Sequence, residues 1–196
     1  MKRILFLVLA LLFMPISSCI DRNFNEIKSI PLQGDEKSYY VLEKKDIAYH
    51  FHYQRGHNSV PLKTSKNINF LLLDSRYEVV DYFYFRAFNN WFEKLKFENG
   101  IMPIQQNETI DCDNFAMLYK SMWSVASYAN KNIMEFAVGL VVVKQVEPFG
   151  GIGTGGLHML NIVFCNKNWY IFEPQTGEFI ELNEYPNQEH IINIIL

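Results

Sequence analysis

The hydrophobic period of this chain changes near residue 136, and that change limits the possible folds more than any other feature of the sequence. Before it, Phe115, Leu118, Met122, Val125, Ala126 and Ala129 recur at the three- and four-residue spacing of an amphipathic helix. After it, Phe136 to Val146 is apolar and β-branched, Leu157 to Phe164 and Trp169 to Phe172 repeat that character, and Phe179 to Leu182 follows the turn residue Gly177. Helices that come first and strands that come last must cover each other's apolar faces. The expected class is α+β, with helices packed on an antiparallel sheet.

Local signals refine this outline. Asp111 stands directly before the helical run and is a good N-cap, so a helix is expected from Cys112 to Ala129 with the cysteine in its first turn. Ser75 followed by Glu78 has the spacing of a capping box and predicts an earlier helix ending before Asn99-Gly100. Tyr49, Phe51 and Tyr53 alternate with His50 and His52, the pattern of a strand with the histidines on a surface face. Phe149 to Gly156 contains five glycines and reads as a mobile flap. It lacks the Lys-Ser/Thr ending of a phosphate loop and leads into a strand rather than a helix.

The first 18 residues have a separate logic. Lys2 and Arg3 precede an apolar stretch from Ile4 to Met14, which is too short to span a bilayer, and Ser17 and Ser18 lead to Cys19. Ile16-Ser17-Ser18-Cys19 resembles the bacterial lipobox, which implies cleavage before Cys19 and lipidation of that residue. Two or three acyl chains hold a protein stably at a membrane, where one does not. The expected organisation is a signal peptide over 1–18, a tether over 19–38 containing Pro31 and Gly34, and a single domain over 39–196. The implied location is the bacterial cell envelope, outside the cytoplasm. After cleavage 16 basic side chains face 21 acidic ones, a net charge of -5, so nucleic acid is not an expected partner.

Removing Cys19 from the count leaves only Cys112 and Cys165, too few for a disulfide scaffold. Cys165 is seven residues from His158 and, by alternation, on the opposite strand face, so it is expected in the core. Cys112, at a helix N-terminus, has one of the features that favour a thiolate, although Asp111 and Asp113 oppose it. His158 opens a strand beside the glycine loop, where an imidazole can reach a cleft. A hairpin turning at Asn166 to Asn168 would bring Glu173 back beside His158, giving the imidazole an orienting acid. Asn161 is odd-spaced from His158 and is expected to support a turn. No cofactor or metal is implied.

The blocks Asp111-Cys112-Asp113-Asn114-Phe115-Ala116, His158-Met159-Leu160-Asn161 and Trp169 to Gly177 resemble the Cys, His and acid blocks of the transglutaminase-like and papain-like cysteine peptidase superfamily. They are most similar to the protease domains that end certain mushroom agglutinins and to bacterial transglutaminase-like cysteine peptidases. The likeness covers about 91–182. It implies a papain-like fold in which Cys112 is the nucleophile, His158 the base and Glu173 the orienting acid. Gln106, six residues before the cysteine, takes the place of the papain-type oxyanion glutamine. The activity implied is thiol-dependent hydrolysis or acyl transfer on amide bonds of a peptide, protein or cell-wall peptide. Peptidoglycan amidase or endopeptidase action, and an inactive lipid-anchored binding module on the same fold, are the alternatives.

Overall fold

The computed structural model describes residues 30–32, 41–52, 62–64, 67–101 and 111–196. The chain divides at residue 30, and every element below belongs to the unit Pro31–Leu196. The proposed leader, Cys19 and Gln106 lie outside the described residues. Among the described residues no helix is long and apolar enough to cross a membrane.

The elements run β1 (Val41–Glu43), α1 (Lys44–His52), β2 (Asn69–Leu71), β3 (Arg76–Glu78), α2 (Tyr82–Glu98), α3 (Cys112–Ala129), β4 (Val138–Gln145), β5 (Gly156–Cys165), β6 (Asn168–Phe172), β7 (Phe179–Glu181), a 3-10 turn (Gln188–His190) and β8 (Ile191–Ile195). The fold is α+β, with three helices among the described residues and a mostly antiparallel sheet. That sheet has the strand order β2-β8-β4-β5-β6-β7, in which β2–β8 is a parallel pair and the other described pairs are antiparallel. β1 and β3 form a separate antiparallel pair.

Alternation along the central strands assigns each sheet face a partner. Leu160, Ile162 and Phe164 of β5, with Trp169 and Ile171 of β6, join a core completed by Ile47 and Phe51 of α1. On the other face Phe172 stacks on Tyr119 of α3 at 4.3 Å, and Phe85 of α2 packs on Tyr170 and Phe179. The two long helices join through Phe88 stacked on Trp123 at 3.9 Å and Phe92 edge-on to Tyr119. Trp123 and Tyr119 are fully buried. Such aromatic contacts add to the burial of large rings and fix how the helices sit on the sheet.

Three local expectations change. The segment expected as an alternating strand is helix α1, because Ile47, His50 and Phe51 form one buried stripe while Tyr49 is 54% exposed. His50 therefore lies in the core, where it stacks on Phe164 and accepts from Trp169 Nε1–H at 3.2 Å. Ser75 does not open a helix, since Tyr77 pairs with Leu42 in β3 and is fully buried. The helix begins only after Asp81, whose carboxylate accepts from the N–H groups of Phe83 and Tyr84. The end of α2 is at Asn99, as the Asn99-Gly100 pair suggests, with Gly100 at φ 63°. α3 spans Cys112 to Ala129 as its periodicity and Asp111 imply.

Candidate active site

Cys112 is half-buried and opens α3 because Asp111 turns the chain out of helical conformation just before it. Asn114 Oδ1 accepts from the Asp111 N–H at 3.3 Å, and the Asp111 carboxylate accepts in return from the Asn114 N–H. The adjoining Asp111 and Asp113 carboxyls act on each other, which lowers the first and raises the second relative to ordinary aspartates. Asp111 is engaged in the cap.

His158 stands near the start of β5 and is 7% exposed. Its Nε2–H donates to Glu173 Oε2 at 2.5 Å, and the Cys112 side chain lies near enough to the ring to favour its protonation. Burial disfavours a charged imidazole, but the influence of Cys112 and Glu173 together outweighs it and raises the histidine to about 9. A largely buried imidazole therefore keeps its proton well into the alkaline range.

Glu173 follows β6 and is fully buried. The β5–β6 hairpin that delivers it turns at Asn166 and Lys167, both at positive φ, with Cys165 opposite Asn168. Its Oε1 accepts from the Gln175 N–H at 2.9 Å, so both carboxylate oxygens have partners. The 173–177 turn is closed by Gly177 N–H donating to Glu173 O and by Glu173 N–H donating to Glu178 O, each at 2.8 Å.

Cys112, His158 and Glu173 therefore meet, from a helix start, a strand start and a strand end. Cys165 is buried and free, and its surroundings push the thiol further from ionisation. The remaining described histidines, His50, His52 and His190, belong to α1 and the 3-10 turn, away from this cluster in the chain. Among the described residues no group of three or more His, Cys, Asp or Glu is placed to hold a metal.

Several supporting residues carry little sequence signal. Asn161 supports no turn: its Nδ2 donates to Ala116 O at 2.9 Å and Gly139 O at 3.1 Å, so it ties α3 to the sheet three residues from His158. The glycine loop is pinned at its base, where Gln145 Nε2 donates to Ile152 O and Gly153 O and Phe149 packs on Tyr185. Gly150 presses on Glu173: at φ 59°, an added Cβ would stand 2.8 Å from Glu173 Cγ. This half of the loop forms a wall beside Glu173. Lys96, in register with Phe88 and Phe92 on the buried stripe of α2, donates to Pro174 O at 2.6 Å and Gln175 O at 2.9 Å. A lysine four residues beyond a buried phenylalanine was the legible trace of that role.

No family model matches the sequence, and no curated protein does. Solved structures do match, among them one described as a PSL1a-E64 complex, with a TM-score of 0.50 and 17% identity. That match covers 80% of this chain and 50% of the other, so this chain spans about half the neighbour's length. At such identity the likeness concerns the fold alone.

Proposed function

We propose that the chain is a papain-like, thiol-dependent hydrolase or acyl transferase acting on amide bonds. The observation that carries this reading is one buried imidazole, on His158, bound to a buried carboxylate and near a cysteine at a helix N-terminus. In the proposed reaction the Cys112 thiol passes its proton to His158 as the sulfur attacks the substrate carbonyl carbon, and electrons move onto the carbonyl oxygen. The Cys112 backbone N–H, one of the unpaired donors of the first helical turn, is available to that oxyanion. Collapse expels the amine, which takes its proton from His158, and leaves a thioester on Cys112. His158 then removes a proton from water, or from a second amine, as that group attacks the thioester. Release of the acid or new amide restores the thiol. Glu173 holds the ring and favours its protonated form. The same residues serve hydrolysis and transamidation.

The neighbour's complex with E64, a cysteine-protease inhibitor, supports testing this chain with the same reagent. Incubation with E64 should add one inhibitor to the parent protein at Cys112, read by intact mass and peptide mapping, and none to Cys112→Ala. A parent left unlabelled by both E64 and iodoacetamide under native conditions would remove the enzyme reading in favour of a binding module. Lipidation of Cys19 and attachment to a bacterial membrane complete the proposal, with a peptide, protein or cell-wall peptide as substrate.

A further inference from the structure

Lys96 is 3% exposed, in the last turn of α2. Burying an ammonium is costly unless its hydrogens are matched, and here they are. Nζ donates to Pro174 O and Gln175 O, pairs with Glu93 Oε1 at 2.8 Å, and lies 5.4 Å and 5.7 Å from the ring centres of Phe92 and Phe115. Its two carbonyl acceptors belong to the residues that directly follow Glu173. One of them, Gln175, also donates its own N–H to Glu173 Oε1. The same turn ends at Gly177, where at φ 82° a Cβ would stand 2.8 Å from Glu93 Cδ, so helix and turn fit closely at both ends. Phe115, under the ammonium, lies one turn after Cys112.

These contacts form one chain of positions: Glu93 holds Lys96, Lys96 holds the 174–175 carbonyls, and the Gln175 N–H holds the carboxylate that holds His158. We propose that Lys96 is a positioning residue that fixes the Glu173 turn and thereby the place of the carboxylate against the His158 ring. Its importance for catalysis rests on the triad reading above, whereas its hold on Glu173 stands independently of any activity. The titratable groups facing His158 are Cys112 and Glu173, and Tyr185 faces Glu173 from the segment after β7.

The sign of one measurement separates positioning from simple electrostatics. Deleting a nearby positive charge would, by Coulomb's law alone, make His158 easier to protonate and raise its titration midpoint. Letting the Glu173 carboxylate drift would lower it. The experiment follows the His158 carbon-bound ring protons by NMR across pH in the full chain, for the parent, Lys96→Met, Lys96→Gln and the cavity control Phe88→Leu, whose ring packs on Trp123 and Tyr119. A fall of about one pH unit or more is expected in the Lys96 variants, and no comparable fall in Phe88→Leu. Lys96→Gln retains one donor group for the carbonyls and serves where Lys96→Met does not fold. An unchanged or raised midpoint in a folded Lys96 variant overturns the proposal, as does an equal fall in Phe88→Leu. If the midpoint falls as expected while Cys112 in the parent resists E64 and iodoacetamide, the enzyme reading fails and the positioning role stands.

Discussion

His158 is the residue through which the site's electrostatics can be read. Its proton is retained to about 9 in the fold, against 6.5 for an unperturbed histidine, because Cys112 and Glu173 together overcome the penalty of burial. The linkage sign follows from the raised value: the contribution to stability is complete below about 6.5 and is lost as pH rises through about 9. Urea unfolding at intervals across that window should show a declining stability that is flatter in Glu173→Gln. The same substitution should lower the His158 NMR midpoint by a unit or more, since it removes the charge while keeping the shape. A midpoint that stays put would mean that the carboxylate does not govern the ring. For Cys112 the corresponding readout is a rate. An adjacent imidazolium favours the nucleophilic thiolate, so iodoacetamide at pH 7 should modify the parent at least about tenfold faster than His158→Ala. Equal rates would leave Cys112 as an ordinary half-buried thiol.

At the scale of elements, the site depends on how α3 and the 173–177 turn are seated. Asn161 grips the first turns of α3 through Ala116 O and reaches Gly139 O on β4, so Asn161→Leu leaves two buried carbonyls without this donor. A loss of about 1–3 kcal/mol in urea unfolding is expected, together with slower alkylation of Cys112. Trp123→Ala lies deeper in the same helix and should cost about 3–5 kcal/mol by leaving a cavity against Phe88 and Phe136. Gly150→Ala tests the loop wall. The residue has a positive φ and its new methyl would meet Glu173, so it should destabilise the fold by about 1–2 kcal/mol and also lower the His158 midpoint. If that midpoint matched the parent, the loop would be packing without bearing on the carboxylate. The glycine-rich composition was visible in the sequence, but its contact partner was not. Composition reports what backbone angles are allowed and is silent on what approaches the backbone.

For the whole molecule, the remaining question is where the domain is held. The proposed lipid anchor predicts that protein expressed in a bacterial host yields a mature N-terminus at Cys19 carrying acyl groups, read by mass spectrometry. An unmodified chain beginning elsewhere would remove the anchor and leave the catalytic proposal untouched. The sequence by itself determined the period-defined parts: α3 with Asp111 before it, the β5–β6 hairpin, and the placing of helices before most of the sheet. These are local properties, set by side-chain spacing and turn chemistry within a few residues. Only the tertiary structure decided that Tyr49 and Phe51 belong to a helix, that β8 returns beside β4 to pair in parallel with β2, and that Asn161 and Lys96 serve the neighbourhood of Cys112 and Glu173. Each depends on a partner distant in sequence: Lys96 is 78 residues from Pro174, and Asn161 is 45 from Ala116. A hydrogen bond between such residues leaves no periodic mark, because its geometry is created by the packing of the elements that carry them.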